Sequence, residues 1–129
     1  MDNSIKAERT TPVLYLVVPC YNEEEVIERS AQVLGGKLRR LQQAGRIAPG
    51  SKVMFVNDGS RDDTLRLLHE AAAADPLFSV VSLSGNYGHQ SAILAGMMTA
   101  RQYADAVVTI DADLQQDIEA LDKFLDSYM

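Results

Sequence analysis

Two carboxylates one residue apart, Asp111 and Asp113, follow directly on the run Val107-Val108-Thr109-Ile110. That run reads as a buried strand of a parallel sheet. In an extended backbone, side chains at i and i+2 point to the same side, and Gln115 continues the row. Two like charges held side by side repel unless a cation or a hydrogen-bonding ligand sits between them. Oxygen donors of this kind suit Mg²⁺ or Mn²⁺, which keeps several waters and takes the rest of its shell from a substrate diphosphate. The plain alternative is an acidic turn that caps the next helix.

Three more polar clusters each follow an apolar run. In Pro19-Cys20-Tyr21-Asn22-Glu23, Tyr21 offers a flat ring for a base, and Glu23 can accept from a ribose hydroxyl or a base N–H. Asn22, with Glu23 to Glu25, reads equally as a helix start. In Asn57-Asp58-Gly59-Ser60, Asp58 is a plausible acceptor for a base imide N–H, Gly59 permits a tight turn and Ser60 caps a helix. Asp62, Asp63 and Thr64 read as capping residues. In Gly85-Asn86-Tyr87-Gly88-His89, His89 stands at a helix start, where it faces either phosphate or plain solvent. His69 reads as a solvated mid-helix residue. Cys20 has no evident base beside it and reads as a small packing residue. The sequence has neither a Walker loop nor a dinucleotide fingerprint, which weighs against ATP hydrolysis and nicotinamide binding.

Strand and helix alternate four times to position these clusters. Val13–Val18, Lys52–Val56, Phe78–Leu83 and Val107–Ile110 are the expected strands. The first helix, capped at Asn22, keeps Val26, Ile27, Ser30, Val33, Leu34, Leu38 and Leu41 to one face, with a kink expected at Gly35-Gly36. It ends by Ala44-Gly45, before the loop at Pro49-Gly50. The second starts near Ser60, carries Asp62 and Asp63 in its first turn, runs through Leu65, Leu68 and Ala72 and stops before Pro76. The third, from about Gln90 to Tyr103, is expected to bury Ile93, Leu94, Met97 and Met98. The last shows Ile118, Leu121, Leu125 and Tyr128 on one stripe. Such alternation predicts an α/β fold: a Rossmann-like, mostly parallel sheet with helices on both faces. Ligands of such sheets bind outside the carboxyl ends of the strands, where all four clusters would converge.

At 129 residues, 47% hydrophobic and 23% charged, the chain has the balance of one globular domain or part of one. A net charge of −6 and the lack of a cationic cluster weigh against nucleic acid as a partner. An anionic nucleotide remains open to it through a metal that bridges carboxylate and phosphate. A single cysteine excludes an internal disulfide. No run approaches the roughly 20 apolar residues of a membrane span. The polar tail, residues 1–11, lacks the apolar core of a signal peptide. A soluble, cytoplasmic chain is expected.

Pro19-Cys20-Tyr21-Asn22-Glu23, Asn57-Asp58-Gly59-Ser60-Arg61-Asp62-Asp63-Thr64, Asn86-Tyr87-Gly88-His89-Gln90 and Asp111-Ala112-Asp113-Leu114-Gln115, in that order, resemble the family 2 inverting glycosyltransferases. The likeness is to their polyprenyl-phosphate branch, the bactoprenol glucosyltransferases and dolichol-phosphate mannose synthases. The resemblance implies that residues 12–129 are the N-terminal, nucleotide-binding half of a GT-A fold. It implies a sugar nucleotide (UDP-glucose or similar) held by Pro19, Tyr21, Glu23, Val56 and Asp58. Asp111, Ala112 and Asp113 would meet ribose and a metal, Mg²⁺ or Mn²⁺, with Gln115 a further ligand. The reaction implied is hexose transfer to a polyprenyl phosphate, by a whole protein at the cytoplasmic face of the membrane.

The sequence departs from the family pattern at two places. Gly85 stands where an arginine is common, and Gln116-Asp117-Ile118 where aspartate and prolines are common. The acceptor site, general base and membrane helices of the family are expected beyond Met129, so no catalytic residue is assigned. A non-catalytic nucleotide-binding or assembly module is the rival reading. A receiver-type regulatory domain is disfavoured, because its acidic cluster spans the first and third strand ends. A half-domain with an open side is further expected to form a homo-oligomer, a dimer packed through Ile118, Leu121, Leu125 and Tyr128.

Overall fold

The computed structural model describes residues 11–113 and 120–128. Strands β1 (Leu14–Cys20), β2 (Lys52–Asn57), β3 (Phe78–Ser82) and β4 (Ala106–Thr109) form one parallel sheet in the order β3-β2-β1-β4. Helices α1 (Ile27–Gln43), α2 (Thr64–Ala74) and α3 (His89–Ala100) connect them, and α4 (Ala120–Tyr128) follows β4. Strand β1 lies inside the sheet with every residue buried, which is why its sequence is an unbroken apolar run. The chain steps outward from β1 to β3, then returns to place β4 on the other side of β1. That reversal is the topological switch point, and it opens a crevice at the carboxyl ends of β1 and β4. Cys20 is level with Asn57, and Asn57 with Ser82, so the loops after β1, β2 and β3 leave the sheet side by side.

The alternation of β1 and β2 divides the core in two. Leu14, Leu16, Val18, Val53 and Phe55 face α1, α2 and α4, packing with Leu34, Leu38, Leu68, Leu121 and Leu125. Tyr15, Val17, Met54 and Val56 face α3 and meet Ala92 and Ala100. A Cβ on Gly96 would stand 2.5 Å from Val17 Cγ1 and 2.8 Å from Val56 Cγ2. Helix α3 thus lies too close to the sheet for large side chains.

That close approach corrects the expected orientation of α3. Ala92, Gly96 and Ala100 form its buried face, while Leu94, Met97 and Met98 are 59%, 41% and 55% exposed. The helix is apolar on both sides, so its period alone could not say which side meets the sheet. The expected kink is also absent. Helix α1 runs unbroken through Gly35, where a Cβ would lie 2.8 Å from the Phe78 ring, so this glycine makes room for the start of β3. Helix α1 begins at Ile27 rather than at Asn22, which sits in the loop at φ 51°. Helix α2 begins at Thr64, leaving Ser60, Asp62 and Asp63 ahead of it.

Strand β4 is an edge strand, with Val107 and Val108 half-buried rather than fully enclosed. Of the expected dimer stripe, Leu121 and Leu125 lie inside the molecule, 1% and 0% exposed. Lys37 and Arg46 fix α4 in that pose, the lysine at 2.7 Å from Asp122 and the arginine at 2.5 Å from Asp126. A dimer through Leu121 and Leu125 would require α4 to leave the core. Ile118 and the side chain of Tyr128 lie outside what the structure describes. Among the described residues no helix is long and apolar enough to cross a membrane.

Candidate functional site

The loops at the carboxyl edge enclose a cavity of about 510 Å³. Pro19, Cys20, Tyr21 and Glu23 line it from the first loop, Asp58 from the second, Asn86, Gly88 and His89 from the third, and Asp111, Ala112 and Asp113 from the fourth. Ala92, one turn into α3, completes the wall. All four clusters therefore meet. Val56 does not reach the cavity, because its side chain points into the core beside Gly96. Gln115 lies outside the described residues.

Hydrogen bonds between the first two loops set the wall. Asn22 N donates to Ser60 Oγ at 2.9 Å, and Arg61 N returns the contact to Asn22 Oδ1 at 2.8 Å. Glu23 N donates to Thr64 Oγ1 at 2.8 Å, and Asp63 N to Glu24 Oε1 at 2.8 Å. Asp62 joins the same seam, accepting from Thr64 N at 2.9 Å and from Glu24 N at 3.3 Å. The Asn22 and Glu24 side chains that a helix start would have used as caps are spent on this seam, and Glu23 is left to line the cavity.

Asp58 does the same for the third loop. Its carboxylate is 3% exposed and accepts from Tyr87 N at 2.8 Å and from Gly88 N at 3.0 Å. Gly59 next to it adopts φ 68°, and a Cβ there would collide with the backbone of Gly85 and Asn86. Gly59→Ala is therefore expected to cost about 2–4 kcal/mol, combining a left-handed backbone with overpacking. A melting temperature within 2 °C of the parent, in a thermal-unfolding scan, would contradict this reading of the junction.

The fourth loop leaves β4 through Ile110, whose N–H donates to Val17 O at 3.0 Å, and turns at Ala112 and Asp113. Ala112 is buried and its carbonyl accepts from the Ser30 hydroxyl of α1, while Asp111 and Asp113 stand exposed on either side. Ser30 is a site-shaping residue that the sequence offered only as a hydroxyl on an otherwise apolar helix face. The cross-loop roles of Glu24, Asp62 and Thr64 carried no sequence signal beyond their capping character.

Electrostatics mark the cavity as a place for positive charge. Burial raises the Glu23 carboxyl above its ordinary pKa, and Asp113, Asp111 and Asp62 raise it further, against a smaller opposing effect of His89. Burial, with Glu23 adding to it, also pushes the Cys20 thiol far up, so Cys20 is a packing residue and not a nucleophile. Among the described residues no three His, Cys, Asp or Glu side chains form a complete cage for a metal ion. Two outward carboxylates at the rim of a cavity fit an ion of the Mg²⁺ type, which binds through one or two carboxylates and fills its shell with substrate phosphates and water.

Residues 15–128 match the glycosyl transferase family 2 domain, and the chain belongs to that family. It is 40% identical over 121 residues to the uncharacterised glycosyltransferase YkoT of Bacillus subtilis (strain 168), covering 94% of this chain and 36% of that protein. It is 36% identical over 114 residues to the bactoprenol glucosyl transferase of Shigella phage SfV, covering 88% of this chain and 34% of that protein. Among solved structures, the mannosyltransferase PcManGT from Pyrobaculum calidifontis, in complex with GDP-Man and Mn²⁺, superposes with a TM-score of 0.65 at 25% identity. That match covers 88% of this chain and 31% of the other. The chain thus spans about a third of the length of the relatives it matches. Its parallel sheet with flanking helices is the GT-A arrangement of its structural neighbours.

Proposed function

We propose that the cavity is the donor site of a metal-dependent inverting glycosyltransferase, and that it binds a nucleoside diphosphate sugar such as UDP-glucose. The observation that carries this reading is the meeting of all four strand-end loops in one carboxylate-lined cavity at the switch point of the sheet. Tyr21, 41% exposed, presents its ring at the edge of the cavity for the base. Glu23 offers an acceptor for the ribose, and Asp58 holds the third loop in place around the nucleotide. Asp111 and Asp113, with Gln115 after them, would hold Mg²⁺ or Mn²⁺ against the diphosphate. When bound, that ion supplies stabilisation of the negative charge that builds on the departing nucleoside diphosphate.

The whole protein, in this reading, transfers a hexose to a polyprenyl phosphate at the cytoplasmic face of the membrane. Support comes from the bactoprenol glucosyl transferases among the relatives. A thermal-unfolding scan of this chain with Mn²⁺ tests the donor site. At one hundred times the dissociation constant, a sugar nucleotide should add about 2.7 kcal/mol of stability. UDP-glucose or GDP-mannose is expected to raise the midpoint by several degrees. If neither moves it at millimolar concentration, the donor-site reading is wrong.

A further inference from the structure

We propose that His89 is the side chain that contacts the donor's phosphates, a role that rests on the donor-site reading above. The cavity's charges lead to this residue. Glu23, Asp58, Asp111 and Asp113 contribute carboxylates to the lining, and a diphosphate entering among them meets repulsion. Among the described lining residues, His89 is the one whose side chain can carry positive charge. The third loop offers no Lys or Arg: Ser84, Gly85, Asn86, Tyr87 and Gly88 precede His89, and Gly85 has no side chain.

The imidazole is placed for the task. His89 opens α3, and the backbone ahead of it is pinned where Gly88 N donates to Asp58 at 3.0 Å. Gly88 O in turn accepts from Ala92 N at 3.0 Å, so the first turn is fixed from both sides. Its Nε2 lies 4.0 Å from Asp111 Oδ1, beside the carboxylate pair and beyond hydrogen-bond reach of it. The side chain is 58% exposed, so the ring can turn toward a ligand without leaving a packed site. An imidazole N–H donates to a phosphate oxygen as a charge-assisted hydrogen bond, and needs no fork geometry to do so. A metal at Asp111 and Asp113 and an imidazole at His89 would then approach the diphosphate from neighbouring positions.

A histidine that merely shapes the helix start would affect all ligands alike, whereas a phosphate contact acts on the diphosphate alone. Calorimetry of His89→Ala in Mn²⁺, titrated with UDP and GDP and, by competition, with uridine and guanosine, separates the two. The preferred diphosphate of the parent should bind roughly tenfold more weakly, its nucleoside within about twofold of the parent. His89→Lys, which puts an N–H donor back at this position, should recover most of the loss. The affinity for Mn²⁺ alone should not change. Undiminished diphosphate binding by His89→Ala overturns the proposal, as does an equal loss for nucleoside and diphosphate or a fall in Mn²⁺ affinity. If the parent binds neither diphosphate nor nucleoside, the donor-site reading fails first and takes the proposal with it. The losses confined to the variant leave that reading standing.

Discussion

Asp58→Ala is expected to destabilise the protein by about 3–6 kcal/mol, since two hydrogen bonds to a buried charged acceptor are each worth about 1.5–3 kcal/mol. The loss comprises the amides of Tyr87 and Gly88, both held by a carboxylate that is 3% exposed. Such a loss is a large part of the net stability of a domain. Asp58→Asn keeps one carbonyl acceptor and should lose less, so equilibrium urea unfolding of the two variants should rank them parent, Asn, Ala. Nucleotide binding is expected to fall more than tenfold in Asp58→Asn, because the third loop and His89 lose their anchor. The ratio of UDP to GDP affinity tells how Asp58 acts. Loop anchoring weakens both alike, whereas an acceptor aimed at the base changes the ratio. A variant of parental stability and parental affinity would contradict both roles.

The strands and the shared edge of the four clusters were legible because each apolar run is short, rich in Val and closed by polar residues. Parallel topology follows from the alternation with helices, and the topology then fixes where the loop residues meet. What stayed hidden were contacts between residues far apart in sequence. Asn22 and Ser60 are 38 positions apart and Ser30 and Ala112 are 82 apart, and nothing local in either partner names the other. Helix α3 misled for a different reason. Its large side chains suggested a core face, but the sheet is approached through Ala92, Gly96 and Ala100, and only the contact of Gly96 with Val17 and Val56 decides it. The stripe of Leu121 and Leu125 reads the same whether it faces a core or a second copy. The pairing of Asp122 and Asp126 with Lys37 and Arg46 shows that it faces the core.

The second large effect concerns the carboxylate pair. Asp111 and Asp113 flank the buried Ala112 at the rim of the cavity, and their charges reach Glu23 strongly enough to raise its carboxyl beyond the effect of burial. Adding a diphosphate to that environment requires a counter-charge, so metal and nucleotide should bind with mutual help, each raising the affinity of the other by the same factor. Removing one carboxylate would take away a ligand of the proposed metal and part of the repulsion together. Asp113→Ala should therefore bind nucleoside diphosphate weakly, to the same degree with or without metal.

Isothermal titration of UDP and GDP into the parent and Asp113→Ala, in Mn²⁺ and in EDTA, measures this coupling directly. For the nucleotide it prefers, the parent should bind at least about tenfold more tightly in Mn²⁺, a coupling of about 1.4 kcal/mol or more, and Asp113→Ala should show none. Equal affinity of the parent with and without the metal would contradict the account.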